Sequence, residues 1–224
     1  MGLRTYLGLK KRPPPRVSPP SHALEWWVGK EFSHDMAGTR LGHWVRVLAP
    51  YRNQVTHICE IGSWEGQSAI FWLEFFPSAH LTCIDTFKGS SHHQGPDFAH
   101  KTAGIEERFD RNLVPYGSRV EKLKARSIEA LDRLRLCKRE FDLVYIDGSH
   151  ERDEVMIDCV LAWQVTRPGG IVIWDDYRFG ADNPENNPGP AINAFLAMHA
   201  TDANVLFDSG DQLFAVKSPT ATLG

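Results

Sequence analysis

The apolar residues of this chain form short runs, several of which end directly in an acidic residue. Two such runs, residues 143–146 and 171–174, enclose residues 151–166, in which apolar side chains recur near helical spacing. The Pro-Gly-Gly turn at residues 168–170 is expected to close this helix before the second run begins. Apolar runs without alternation are typical of parallel strands covered on both faces, so this stretch predicts a strand–helix–strand unit.

The acidic residues that follow these runs predict a site. Strand–crossover–strand units are almost always right-handed, so both strands deliver their carboxyl ends to one edge, where open α/β sheets bind ligands. We therefore expect Asp147, His150, Asp175 and Asp176 to gather at this edge. Because neighbouring strand residues point to opposite faces, Asp175 and Asp176 can bind one ion only if the strand has already ended.

The remaining pattern predicts an α/β fold, a Rossmann-like doubly wound and mostly parallel sheet with a terminal antiparallel hairpin. The hairpin is indicated by two short apolar runs around a Ser-Gly-Asp turn. Ser33 or Asp35 is expected to cap the helix at residues 36–51, and Ser127 to cap the helix at residues 127–134. Further strands are predicted at residues 55–61, 81–84, 120–125, 204–207 and 213–217, and further helices at residues 67–76, 105–114 and 191–199.

Three regions are expected along the chain. Residues 1–24 are basic and proline-rich, which predicts a flexible tail, and residues 25–54 form a helical segment that could cover the site as a lid. Trp26 and Trp27 are interpreted as packing residues rather than substrate contacts. Residues 55–224 form the main domain, and its His-rich segment at residues 88–104 is interpreted as a lid or a substrate-contacting loop.

Composition and charge narrow the function classes. A net charge of −3 and a pI near 6.4 give no argument for a nucleic-acid partner, and no apolar run approaches the length of a membrane span. The amino-terminal residues lack the apolar core of a secretory signal. The four cysteines are scattered without metal-type pairs. These features predict a reduced, cytoplasmic protein.

The turn after the first strand reads G-S-W-E-G-Q-S and leads into a helix. Its glycines would let a ligand approach the backbone closely, and the helix N-terminus favours negative charge. Trp64 stands where dinucleotide-binding enzymes need their middle glycine, which argues against a pyrophosphate. Asp85, at the tip of the second strand, could accept both ribose hydroxyls of a nucleoside or could serve as a turn residue. Glu60 is a predicted buried carboxylate, which must find donors or a cation.

Four segments together carry a family resemblance: E-I-G-S-W-E-G-Q-S, C-I-D-T-F, Y-I-D-G-S-H and P-G-G-I-V-I-W-D-D-Y. In this order they resemble the class I S-adenosylmethionine-dependent methyltransferases, and more narrowly the group that includes macrocin-type sugar O-methyltransferases and the cephalosporin-biosynthesis hydroxylase-like enzymes. The likeness covers roughly residues 55–217, and it implies that residues 55–224 are an S-adenosylmethionine-binding methyltransferase domain.

The resemblance also implies roles for individual residues. Asp85 would bind the ribose and Ser127 would lie near the adenine, while Asp147, Asp175 and Asp176 would hold Mg²⁺ or Mn²⁺ and His150 would act as the base beside Asp147. The residues that the resemblance assigns to the cofactor as a whole are Glu60, Gly62, Ser63, Gly66, Ser68, Asp85, Thr86, Ser127 and Asp147.

The expected chemistry agrees with these assignments. A hydroxyl is a poor nucleophile until its proton is removed, a step that a divalent ion and a nearby base both assist. Carboxylate oxygens suit Mg²⁺ or Mn²⁺, whereas zinc would favour His or Cys ligands. The leading hypothesis is metal-assisted O-methylation of a small-molecule acceptor, with a homo-oligomer as an option. An NAD-type oxidoreductase and a non-enzymatic nucleoside-binding protein are the alternatives.

Overall fold

A seven-stranded sheet forms the centre of the protein in a computed structural model that describes residues 23–35, 38, 40–89, 102–183 and 185–219. The strand order is β3-β2-β1-β4-β5-β7-β6, in which β1 to β5 are parallel and β7 runs antiparallel to both of its neighbours. This arrangement confirms the predicted Rossmann-like sheet with a terminal antiparallel hairpin. The strands are β1 His57–Ile61, β2 His80–Asp85, β3 Val120–Lys124, β4 Phe141–Ile146, β5 Thr166–Trp174, β6 Ala203–Asp208 and β7 Leu213–Lys217.

Helices lie on both faces of this sheet. In the described part of the chain they are α1 Leu41–Leu48, α2 Gln67–Phe75, α3 Ile105–Leu113, α4 Ser127–Leu136, α5 Arg152–Val165 and α6 Pro188–Met198. Side chains alternate along β4, so Leu143 and Tyr145 pack with α1 and α2, while Val144 and Ile146 pack with α4, α5 and α6. Both faces are therefore buried, which explains why the strand is apolar without alternation.

The start of β5 differs from the prediction. The Pro-Gly-Gly segment does not close α5, because the helix ends at Val165 and the hydroxyl of Thr166 donates to the carbonyl of Ala162 at 2.7 Å. Thr166 already pairs with Phe141, and the segment lies inside β5 before the regular register resumes at Ile171. Tertiary pairing with β4 thus extends the strand into residues whose local sequence favours a turn.

The amino-terminal segment also departs from its predicted boundary. The helix begins at Leu41 after Arg40, without a side-chain cap. Ser33 instead binds the carboxylate of Glu65 through its backbone N–H at 2.6 Å and its hydroxyl at 3.1 Å, and Asp35 accepts from the N–H of Gly38 at 2.9 Å. The cap prediction was wrong because tertiary and loop contacts take up these polar groups.

The two amino-terminal tryptophans serve packing, as expected. Trp26 lies against Phe71, with ring centroids 5.9 Å apart, and Trp27 donates from its indole nitrogen to the carbonyl of Gln67 at 3.1 Å. Residues 1–22 of the predicted tail and residues 90–101 of the His-rich loop lie outside the described residues, so their predicted roles stay predictions. Among the described helices, none is long and apolar enough to cross a membrane.

Candidate active site

The carboxyl ends of β1, β2, β4 and β5 are tied together beyond the strands themselves. Backbone N–H groups of Gly62, Asp147 and Asp175 donate to the carbonyls of Ile84, Ile61 and Ile146 at 2.8, 2.8 and 2.9 Å. These bonds continue the sheet by one residue and set the direction in which the following side chains leave it. Since β1 and β4 are neighbours whose chains continue to opposite sides, this edge holds the topological switch point at which such sheets bind ligands.

The glycines of the β1–α2 turn are required by contacts inside the protein. Gly62 has φ +85°, and a Cβ there would lie 1.9 Å from the carbonyl oxygen of Asp147. Gly66 has φ +82°, and a Cβ there would lie 2.3 Å from a methyl group of Leu113. The residue after β4 and a side chain of α3 take up the space that a Cβ would need, and access of a ligand to this backbone stays a prediction.

Glu60 is fully buried at the end of β1 and accepts a hydrogen bond from the indole nitrogen of Trp72 at 2.8 Å. Burial raises the pKa of Glu60 to about 7, although the neighbouring side chains of Ser68, Ser63 and Trp72 act to lower it. The predicted buried carboxylate has therefore found donors among the described residues, the indole of Trp72 and the thiol of Cys83.

The raised pKa makes Glu60 a source of pH-dependent stability. The folded protein holds this proton up to about pH 7, against an ordinary value of 4.5, so its contribution is complete below pH 4.5 and is lost as the pH rises to 7. As the pH rises from 5 to 8, we expect the free energy of unfolding of Glu60→Gln to increase relative to that of the wild type by on the order of 1–3 kcal/mol. Urea denaturation across this range measures the difference, with the exposed Glu129→Gln as control. A difference that does not change with pH would contradict the prediction.

Asp85 ends β2 and joins two loops. Its carboxylate accepts from the backbone N–H of Trp64 at 2.7 Å and of Phe87 at 2.6 Å, while the hydroxyl of Thr86 accepts from the N–H of Lys88 at 3.3 Å. Burial raises the pKa of Asp85, and these backbone donors oppose the rise. Asp85 therefore has the turn role that was its alternative reading, and binding of ribose stays a prediction.

A cavity opens to solvent beside the β1–α2 turn. Of the predicted cofactor residues, Gly62, Ser63, Ser68 and Asp147 line it, together with Trp44 of α1. The indole nitrogen of Trp44 is buried and makes no hydrogen bond within the described part of the chain. A buried donor without a protein partner is costly, so this wall of the cavity suits a ligand that carries an acceptor.

Ser127 does not cap α4 in the way we expected. The helix has Arg126 as its N-cap without a side-chain bond, and Ser127 lies near Asp158 of α5, whose pKa it acts to lower. Asp158 is buried, and burial raises its pKa to about 7 although Ser127 acts to lower it. The predicted cap is therefore wrong, because the helix already includes Ser127 as its first residue.

Asp175 and Asp176 lie just beyond the last residue of β5, Trp174, and both face one cation. Asp176 has φ +51°, a left-handed conformation that turns its side chain away from strand alternation. The guanidinium of Arg40 lies 2.6 Å from Asp175 and 3.1 Å from Asp176. The strand has thus ended before the pair, as binding of a shared cation requires.

Tyr145 completes the buried side of this acidic cluster. Its hydroxyl hydrogen bonds to Asp175 and lies 3.1 Å from Asp147 Oδ2. Burial raises the pKa of Tyr145 well above its usual value, and the charges of Asp147 and Asp175 raise it further. The hydroxyl therefore keeps its proton and stays a donor. The pKa of Asp147 is likewise raised, first by burial and then by Asp175 and Asp176. One guanidinium does not balance three carboxylates, so the cluster suits further positive charge.

His150 is the buried member of the group that it forms with Asp147 and Asp176. Its Nε2 is 2.8 Å from Asp176 Oδ2, and its ring packs on Phe179 with centroids 4.1 Å apart. Asp147, His150 and Asp176 each offer a ligand atom within 4.8 Å of one another. The four residues expected at this edge are therefore brought together, although Asp175 faces Arg40 and Tyr145.

Sequence reasoning missed Arg40, Tyr145 and Trp44. Tyr145 precedes Asp147 by two positions in a strand, so the period of two could have placed both side chains on one face. Arg40 contacts Asp175 across 135 positions of the chain, and no local pattern announces that contact. Trp44 belongs to the buried face of α1, but an indole nitrogen without a partner among the described residues has no signature in the sequence.

Comparisons with known proteins agree with this geometry. The chain is 28% identical over 148 residues to mycinamicin VI 2''-O-methyltransferase of Micromonospora griseorubida, covering 60% of this chain and 30% of that enzyme. The structure of the MycE methyltransferase from the mycinamycin biosynthetic pathway, in complex with Mg and SAH, matches with a TM-score of 0.60 at 18% identity, over 92% of this chain and 56% of that one. The O-methyltransferase TomG of Streptomyces achromogenes, in complex with SAM, matches with a TM-score of 0.58 at 18% identity, over 91% and 92%.

The structural matches show a shared fold, and the chain spans less than two thirds of the length of the curated relatives it matches. A family model described as a methyltransferase domain matches residues 59–177, more than half of the chain. This stretch contains the β1–α2 turn, Asp85, Asp147, His150 and Asp175. The chain belongs to this family of methyltransferase domains.

Proposed function

We propose that this protein is an S-adenosylmethionine-dependent O-methyltransferase that acts on a hydroxyl group of a small molecule, such as a sugar or a secondary metabolite, with the help of a hard divalent ion. The observation that carries the proposal is the acidic cluster with its imidazole beside the cavity at the switch point. Asp147 belongs to both, so a methyl donor in the cavity and a hydroxyl at the cluster would be neighbours.

The cavity supports the proposed cofactor through the residues that line it. Gly62, Ser63 and Ser68 offer backbone and hydroxyl groups, and Trp44 offers a buried donor to a carboxylate such as that of the methionine part. Asp85 lies at the tip of β2, where an acid can accept from ribose hydroxyls once its loop contacts rearrange. SAM and SAH are present in the structures of TomG and MycE, which have the same fold.

The cluster supports a divalent ion through the chemistry of its donors. The carboxylates of Asp147, Asp175 and Asp176 are hard oxygen ligands of the kind that Mg²⁺ and Mn²⁺ prefer. Burial first, and then the charges of Asp175 and Asp176, raise the pKa of Asp147 although Arg40 acts to lower it, so added positive charge at the cluster would stabilise the carboxylate. The MycE complex contains Mg, in agreement with this reading.

The residues of the chain would divide the reaction between orientation and proton transfer. When bound, S-adenosylmethionine supplies an electrophilic methyl group and the ion supplies positive charge that lowers the pKa of a nearby hydroxyl. Asp176 holds His150 by its Nε2 at 2.8 Å, so the imidazole is fixed beside the cluster, where it would take the hydroxyl proton. The fixed strand ends hold Asp147 between the two substrates, so the protein contributes mainly by alignment.

A thermal-shift experiment tests the cofactor. We expect S-adenosylmethionine at a hundredfold excess over its Kd to raise the melting temperature by about 5–10 °C, because it binds only the folded state, and we expect NAD to leave it unchanged. Asp85→Ala should lose most of this rise, since the ribose hydroxyls lose their acceptor. Asp208→Ala is the matched control, because Asp208 also ends a strand and accepts from a turn N–H, that of Gly210, at 2.7 Å. An equal rise with NAD, or a full rise in Asp85→Ala, would contradict the assignment.

A further inference from the structure

The guanidinium of Arg40 already occupies the acidic cluster as a cation. Its Nε lies 2.6 Å from Asp175 Oδ2 and 2.9 Å from Oδ1, and its Nη2 lies 3.1 Å from Asp176 Oδ1. The side chain of Asp175 is 0% exposed and that of Arg40 is 19% exposed. Burial acts to lower the pKa of Arg40, but the charges of Asp175 and Asp147 raise it above its usual value. The arginine is therefore charged and largely desolvated, unlike the exposed ion pairs of a protein surface.

Arg40 and its neighbours use the acceptor positions of Asp175. Oδ1 accepts from Arg40 Nε and from the backbone N–H of Asp176 at 2.8 Å. Oδ2 faces Arg40 Nε and accepts from the hydroxyl of Tyr145. An ion such as Mg²⁺ needs an open lone pair at about 2.0–2.1 Å from the metal. While Arg40 holds its place, Asp175 cannot serve as a ligand, and a second cation would meet the charge of the first.

We propose that Arg40 is a built-in cation of the acidic cluster and that it competes with a divalent ion for Asp175 and Asp176, so that only one of the two cations occupies the pair at a time. The divalent ion in this inference comes from the proposed function, whereas the contacts of Arg40 with the two carboxylates are observed. Two carboxylates directed at one guanidinium are also directed at any ion that replaces it.

The position of Arg40 links this exchange to the cofactor cavity. Arg40 directly precedes α1, whose Leu41 and Trp44 are buried at 0% and 1% exposure, and Trp44 lines the cavity. The helix backbone is thus anchored, and the exchange is a movement of the arginine side chain. Withdrawal of that side chain opens the cluster to the ion and to a hydroxyl next to the cavity.

Titration with Mn²⁺ alone, without cofactor or acceptor, tests the competition by calorimetry. We expect Arg40→Gln to bind Mn²⁺ at least about tenfold more tightly than the wild type, because the competing charge is gone. Without Mn²⁺ the variant should melt at a lower temperature than the wild type, and saturating Mn²⁺ should close the gap. Arg46→Gln, an equal change of charge at an exposed position of α1, should alter neither quantity.

The wild-type protein gives an independent measurement should Arg40→Gln fold poorly. The Nε–H of Arg40, observed by ¹⁵N NMR, should exchange slowly with water without metal and rapidly after Mg²⁺ is added. Equal Mn²⁺ affinity in Arg40→Gln and wild type, weaker binding in the variant, or an Nε–H unchanged by Mg²⁺ that binds would each overturn the inference.

The titration also separates this inference from the proposed function. Binding by Arg40→Gln alone would support Arg40 as the resident cation and refute metal assistance in the wild type. Binding by neither protein would overturn both ideas. Similar binding by both would leave metal assistance standing and remove the competition.

Discussion

Replacing His150 with alanine is expected to slow methyl transfer by about 10²–10⁴-fold, because the hydroxyl loses the base that takes its proton. The imidazole is 9% exposed and is held by Asp176 at 2.8 Å, so its basic nitrogen has a defined direction. Cofactor binding should not change, because His150 does not line the cavity. The measurement is single-turnover methyl transfer to hydroxyl acceptors, beginning with a panel of sugars and catechols.

Two controls give this result its meaning. In another His–Asp pair, Nδ1 of His199 lies 3.1 Å from Asp202. His199→Ala removes this imidazole and should keep wild-type turnover. Calorimetric titration of His150→Ala with Mn²⁺ distinguishes a base from a ligand, since only loss of a ligand weakens metal binding. Wild-type turnover by His150→Ala would remove the base from the mechanism, and full activity of the wild type in a chelator would remove the metal.

Gly62→Ala is expected to lower the free energy of unfolding by about 2–5 kcal/mol, because backbone strain and a steric clash add up at one position. The glycine has φ +85°, and the new Cβ would lie 1.9 Å from the carbonyl oxygen of Asp147 and 2.5 Å from its carbonyl carbon. These are backbone atoms, so no side-chain rotation relieves the overlap. Urea denaturation measures the loss as a lower midpoint at an unchanged slope.

Gly169→Ala isolates the backbone part of this effect. Gly169 has φ +82°, close to that of Gly62, and a Cβ there would have no atom within 4 Å. We expect a loss of only about 1–2 kcal/mol, the ordinary cost of a left-handed residue with a Cβ. Equal losses in the two variants would show that β4 yields easily and that the contact with Asp147 does not require a glycine.

The strands could be predicted because a strand that is buried on both faces has a continuous apolar run in the sequence. Continuous apolar runs ending in acids located β1, β2, β4 and β5 to within a few residues, apart from the early start of β5. That start could not be predicted, since Pro168 and Gly169 favour a turn locally while pairing with β4 extends the strand. The cap at Ser33 or Asp35 failed for a related reason, because Glu65 and Gly38 lie within reach of these polar groups only in the folded chain.

The sequence by itself determined the sheet and the edge of it at which Asp147, His150, Asp175 and Asp176 meet. Side-chain alternation in strands and the handedness of crossovers depend on short stretches of the chain, so they can be applied to the sequence without knowledge of distant contacts. Only the tertiary structure decided which charged and polar side chains contact one another. Arg40 reaches Asp175 from 135 positions away, and Tyr145 reaches it from the neighbouring strand β4. An ion pair depends on the distance between charges in the folded protein, and separation along the chain does not encode that distance.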